Sequence, residues 1–149
     1  MNENEALARA IKIAAEAFEK SMDKGGSPYI LHCLAVMDGV KHLGFKVMTA
    51  AVLHDLLEDC PDWNSERLKQ EGFCDEVISL IKAVTHPQDE AYELYIDRVA
   101  TYPEAKAIKM ADLMHNMNLT RLSALNSKTI ERIKKYHNAY GYLKLRTAR

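Results

Sequence analysis

The chain reads as an all-α protein, one compact helical bundle. Three observations point there. Apolar residues recur three and four apart through most of the 149 residues, the period of a helix with one buried face. No segment alternates apolar and polar residues as a half-buried strand would. Glycine and proline fall between the periodic segments, at Gly25-Gly26-Ser27-Pro28, Gly44, Pro61, Pro87 and Pro103, where they end helices and start turns.

Taken in order, the first helix is expected over 3–21, with Leu7, Ile11, Ala14, Ala15 and Phe18 as its apolar stripe. The Gly-Gly-Ser-Pro turn precedes a second helix over about 28–42. Gly44 turns the chain into a third, over 46–58. The polar loop 61–65 can cap a short helix over 66–71. A further helix is expected over 75–84, with Val77, Ile78, Leu80, Ile81 and Val84 apolar, and His86-Pro87 interrupts it. Helices over 89–100, 103–121 and 127–146 complete the bundle. There is no repeat, low-complexity tract or Pro/Gly/Ser-rich linker, so a single domain over 1–149 is expected.

Composition excludes several function classes. A formal net charge of −1 gives no electrostatic footprint for nucleic acid. No apolar run reaches the length of a membrane span, and the acidic start Met1-Asn2-Glu3-Asn4-Glu5 is unlike a signal peptide. A cytoplasmic protein without a membrane partner is expected. Cys33, Cys60 and Cys74 are odd in number and lack CxxC spacing, so they read as reduced thiols. The basic residues Arg132, Lys134, Lys135, Lys144, Arg146 and Arg149 are spread along the last helix as a solvated face.

The chemistry concentrates in His54-Asp55-Leu56-Leu57-Glu58-Asp59. On one continuous helix, residues four apart share a face, which would place Glu58 over His54 and Asp59 over Asp55. Carboxylates crowded in apolar surroundings repel one another unless a positive charge lies between them. A metal ion is the economical answer, weighed against an ordinary solvated acidic face. Further ligands would decide, and two candidates lie in apolar helical context: His32 in Tyr29-Ile30-Leu31-His32-Cys33-Leu34, and Asp112 in Met110-Ala111-Asp112-Leu113-Met114. His32, His54, Asp55 and Asp112 would supply nitrogen and oxygen ligands suited to Mn, Fe, Zn, Ni or Co. A six-coordinate ion would keep two positions for water or substrate.

The order His…His-Asp…Asp resembles the HD-domain metal-dependent phosphohydrolases. Three blocks, Pro28-Tyr29-Ile30-Leu31-His32, Leu53-His54-Asp55-Leu56-Leu57-Glu58-Asp59, and Ile108-Lys109-Met110-Ala111-Asp112 with Asn116-Met117, are similar to the hydrolase domain of RelA/SpoT-type proteins. The resemblance runs from about residue 8 to 143. It implies a single HD domain holding a divalent transition metal, manganese being the family's usual ion, and removing the 3′-pyrophosphate of (p)ppGpp. It assigns acid–base work to Glu58 and Asp59, and a substrate contact to Asn116. Lys24, ahead of His32, is a further candidate for contact with phosphate or base. The partner implied is a small nucleotide; whether the protein forms a homo-oligomer is left open.

Three positions depart from the family pattern. Asp23 stands where an arginine usually stacks on guanine, Cys33 follows the first ligand in place of a proline, and Leu113 replaces a basic residue after Asp112. None removes a ligand. The change at Asp23 keeps alive a phosphatase or pyrophosphatase acting on another nucleotide. A different class of reading is a catalytically silent, metal-containing nucleotide-binding module, against which the Glu58-Asp59 pair speaks. Lys109 and Arg121 are candidates to meet phosphate but are read first as solvated helix-face cations, His115 as a packing or surface residue, and His42, His86 and His137 as loop or surface residues. Trp63 is placed at the site mouth or packed beside it.

Overall fold

The computed structural model describes residues 1–146; Arg149 of the basic stretch lies outside them. The element order is α1 (Glu3–Ala17), α2 (Ile30–Gly39), a 3-10 turn (Lys41–Leu43), α3 (Phe45–Val52), α4 (Leu56–Asp59), α5 (Ser65–Gln70), α6 (Asp75–Val84), α7 (Tyr92–Val99), α8 (Pro103–Asn116), a second 3-10 turn (Leu119–Arg121) and α9 (Ser127–Arg146). Among the described residues there is no strand. One isolated bridge, Met22 to Pro28, closes the glycine-rich loop. No helix there is long and apolar enough to cross a membrane.

Helix α3 is the hub. It packs against α1, α2 and α6, while α8 lies against α2, α6 and α9. Ala50 and Ala51 are wholly buried between Val47 and Val52, and their small side chains let neighbouring helices close on α3. Helix α1 starts at an Asn2 cap, whose side chain accepts from the Glu5 N–H at 2.8 Å, a common way to satisfy a free helical donor. Asn64 caps α5 in the same way through the Arg67 N–H. Proline opens α8, where its missing N–H removes nothing from the helix.

The expected ranges for α6 and α9 match the structure; the short α5 is shifted by one residue, α7 starts three residues later and ends one earlier, and four others differ as follows. Helix α1 stops at Ala17, and its buried stripe is Ala10, Ile13, Ala14 and Phe18, leaving Ala15 exposed. Helix α2 is shorter at both ends. The helix expected over 103–121 breaks after Asn116, where the Asn118 side chain accepts from the Thr120 N–H and caps a 3-10 turn instead. The most consequential difference is in the third helix, which breaks between Val52 and Leu56.

Helices α2 and α8 meet at Gly39. A Cβ on Gly39 would come within 2.9 Å of the Ala111 Cβ, closer than side chains approach. This contact lies next to Asp112 and sets how near α8 comes to His32. Gly39→Ala is expected to cost about 1–3 kcal/mol through overpacking, a fall in Tm of roughly 2–12 °C. Adding Ala111→Gly should return most of it. A single variant melting with the parent would show that the two helices separate freely.

Candidate metal centre

The break after Val52 aims the central doublet. Leu53 and Asp55 lie near φ −100° and ψ 0–11°, and the His54 and Leu56 N–H groups bond three residues back, to Ala51 and Leu53. The His54 side chain joins this tight turn, its Nδ1 2.8 Å from the Ala51 carbonyl. That bond directs Nε2 toward Asp112. Glu58 therefore does not stack over His54 as one continuous helix would require. Its Oε1 accepts from the His86 backbone N–H at 2.6 Å.

The four expected ligands come together from α2, the α3–α4 break and α8. His32, His54, Asp55 and Asp112 each offer one atom, all within 4.8 Å of one another. Asp112 Oδ1 is 2.9 Å from His32 Nε2 and 3.4 Å from His54 Nε2. Asp55 Oδ2 is 3.0 Å from His54 Nε2 and 3.8 Å from His32 Nε2. His54 Nε2 is buried yet makes no well-aligned hydrogen bond, which is rare for a buried polar atom. Two imidazole nitrogens and two carboxylates converging around such an atom fit a divalent cation.

A second ring of side chains fixes these groups. Tyr29 donates its hydroxyl to Asp55 Oδ2; burial first, then the Asp55 charge, pushes the phenol above its ordinary range, so it remains a donor. Lys109 Nζ lies 2.9 Å from Asp112 Oδ2, and Asn116 Nδ2 donates to Asp112 Oδ1 at 2.9 Å. Burial alone would raise the Asp112 pKa, but Lys109, His54 and His32 outweigh it and hold the carboxyl well below the usual range. His115 Nδ1 sits 2.7 Å from His32 Nδ1, with the rings stacked at 5.0 Å. Burial, with the Arg121 charge beside it, pushes His115 down to about 4. A neutral His115 can accept the His32 Nδ1 proton, which leaves the His32 Nε2 lone pair facing the cluster, the arrangement usual around metal-bound imidazoles. His115→Phe keeps the stack and removes the bond. It should weaken metal binding by about 10–100-fold, measured by chelator competition; unchanged affinity would show that His32 needs no partner.

Several sequence readings are corrected here. Lys109 is not a solvated cation: its side chain is 14% exposed and paired with Asp112. Arg121 is tied to Asp23 at 3.0 Å and to the His115 carbonyl at 2.8 Å. Asp23 does not offer a free carboxylate to a base, because Oδ1 accepts from the Gly25 and Ser27 N–H groups while Oδ2 holds Arg121. His86 is not a free loop residue, since it stacks on Tyr95 and anchors Glu58. Of the two readings of His115 the packing one holds, its ring lying against His32. Trp63 packs under Arg67, 3.7 Å from its guanidinium, and lines a cleft with Asp59. Tyr29, Lys109 and His115 each lie three residues from a ligand on the same helical face, a spacing visible in the sequence. Nothing local announced His86, which acts through its backbone.

Glu58 and Asp59 lie beside the cluster on the solvent side. Burial and then the Asp55 charge raise both, Asp59 to about 6, while the His86 N–H holds Glu58 back. A cavity of about 330 Å³ is lined by Lys24 and by Tyr29 and Asn116, the two residues that bond Asp55 and Asp112.

The profile of the HD domain matches residues 10–113. The chain belongs to the HD domain family. It is 35% identical over 124 residues to a probable GTP pyrophosphokinase of Mycobacterium leprae, covering 76% of this chain and 16% of that protein. It is 32% identical over 146 residues to a guanosine-3′,5′-bis(diphosphate) 3′-pyrophosphohydrolase of Borreliella burgdorferi, covering 89% of this chain and 21% of the relative. The chain thus spans about a fifth or less of the length of these relatives. A solved structure described as a metazoan ortholog of SpoT that hydrolyzes ppGpp superposes with a TM-score of 0.78. The match covers 93% of this chain and 84% of that one at 21% identity, which establishes the shared helical fold.

Proposed function

We propose that the protein is a metal-dependent phosphohydrolase acting on a nucleotide, with (p)ppGpp 3′-pyrophosphate removal as its reaction. The observation that carries this is the convergence of two histidines and two aspartates, with Asp55 and Asp112 oxygens 3.0 and 3.4 Å from a buried His54 Nε2 that makes no aligned hydrogen bond, beside two carboxylates that are not tied up as ligands. His32, His54, Asp55 and Asp112 hold the ion, for which manganese is the choice. A divalent ion bound there acidifies a coordinated water and offsets phosphoryl charge.

The protein's own groups do the rest. Glu58, fixed by the His86 N–H, orients the attacking water. Asp59, raised toward neutrality, moves protons between water and leaving group, since acid–base groups work best with a pKa near the working pH. Lys109 keeps Asp112 ionised and in place. Lys24, which lines the cavity, meets substrate phosphate, and Asn116 meets substrate while ordering Asp112. Residues 1–149 act as one catalytic domain in the cytoplasm, on a small-molecule nucleotide.

One observation favours a second reading: with Asp23 engaged by Arg121, the substrate is another nucleoside polyphosphate. Manganese-loaded protein incubated with a nucleotide panel separates the two. Release of pyrophosphate from (p)ppGpp is expected. Orthophosphate from other nucleotides would favour the second reading, and no turnover of any would leave a silent binding module.

A further inference from the structure

Helix α6 ends at Val84, and the last carbonyls of a helix lack partners within it. Here α7 supplies them. Tyr95 and Arg98 are three residues apart, hence on one face of α7, and reach back to consecutive carbonyls. The Tyr95 hydroxyl donates to the Val84 carbonyl. Arg98 donates through Nη1 to the Ala83 carbonyl at 2.9 Å and through Nη2 to the Thr85 carbonyl at 3.1 Å. It also grips Glu90, with Nη2 3.0 Å from Oε1 and Nε 3.2 Å from Oε2. Both ends of the 85–91 connection are thus tied to one side chain.

The peptide held in this way distinguishes these bonds from an ordinary helix end. The Thr85 carbonyl and the His86 N–H belong to one planar unit, and that N–H donates to Glu58 Oε1 at 2.6 Å. Arg98 and Glu58 therefore grip opposite ends of a single rigid group. A guanidinium on its carbonyl also polarises the N–H, since linked hydrogen bonds strengthen one another. The His86 ring is held as well. It stacks on the buried Tyr95 ring at 4.6 Å, and its Nε2 lies 2.6 Å from the Glu90 carbonyl.

We propose that Arg98 is a positioning residue for Glu58, holding the Thr85–His86 peptide so that its N–H fixes the carboxylate that orients the attacking water. This rests on the phosphohydrolase reading and names what sets the geometry of its water-orienting group. Arg98 acts only through this peptide, so its loss should slow the chemical step and spare substrate and metal binding. A catalytic group misplaced by about 1 Å can cost about 10²-fold in rate.

Arg98→Met keeps the aliphatic stem and removes the bonds to Ala83, Thr85 and Glu90. In manganese-loaded protein acting on guanosine tetraphosphate it should lower kcat by about 10–10²-fold, with KM and metal content unchanged, the pattern of an interaction felt only in the transition state. Glu90→Gln loosens one end of the connection with less disturbance to the fold, and should show a smaller loss of the same kind. Added to Glu58→Gln, Arg98→Met should cost little more, because residues that act through one another do not add. An equal loss in both backgrounds, a full rate in Arg98→Met, or a loss confined to KM would each overturn the proposal. Hydrogen exchange at the His86 amide reads the same contact without turnover. It should quicken in Arg98→Met and in Glu90→Gln while the amides of α3 keep their protection. If the unsubstituted protein turned over no nucleotide while exchange behaved so, the catalytic reading would fall and the positioning of Glu58 by Arg98 would stand. Unchanged exchange at His86 in both variants would overturn it whatever the rate.

Discussion

Asp112→Ala protein is expected to purify without bound transition metal and to lose hydrolysis by well over about 10²-fold. Substitutions merely behind a ligand cost about 10–100-fold, and Asp112 lies closest to the centre, with Oδ1 facing both His32 Nε2 and His54 Nε2. The variant carries a second consequence. Lys109, bonded to Asp112 at 2.9 Å, is left as a buried ammonium without its carboxylate, and breaking such a pair destabilises by about 3–5 kcal/mol. Replacing both partners separates the effects. Asp112→Ala with Lys109→Met should regain most of the lost stability, because the stranded ammonium is gone, yet still bind no metal. Elemental analysis and thermal melts of the two variants decide the matter. Metal content equal to the parent in Asp112→Ala would remove Asp112 from the ligand set.

The cluster of His32, His54, Asp55 and Asp112 was legible because each member breaks a strong local pattern. Asp112 interrupts an apolar helical run, and a buried charge there required a partner. His32 and the His54-Asp55 doublet do the same in α2 and at the end of α3. What could not be read was the break at residues 53–55. No glycine or proline marks it, and the sequence continues as a sound helical pattern on both sides. Its cause lies in side chains: His54 Nδ1 engages the Ala51 carbonyl and Asp55 is held by Tyr29 from another helix. Side chains that compete for backbone partners loosen the helical ladder without a compositional mark. The Asp23–Arg121 pair was hidden for a related reason, since its members are 98 residues apart. Local spacing describes a face of a helix but not what a distant turn brings to it.

Glu58→Gln and Asp59→Asn should each lower the rate by about 10²–10⁴-fold, the usual contribution of an acid–base group, while manganese stays bound. Both replacements keep size and shape, and neither residue belongs to the four converging ligands. The two should differ in their pH profiles. Asp59 is raised to about 6, by burial first and the Asp55 charge next. Below that value it holds its proton and cannot accept another, so activity should rise with pH through an acid limb. A cation on Asp55 offsets part of the charge that raises Asp59, which moves the limb of the loaded enzyme below about 6. Asp59→Asn cannot titrate and should lose this limb. Glu58→Gln keeps Asp59 and should retain it at a much lower rate, because the amide can still accept from the His86 N–H but no longer orients the attacking water with a charged oxygen. If both variants kept the parent's rate with metal bound, the pair would be structural, and the attacking water would have to be activated without a carboxylate.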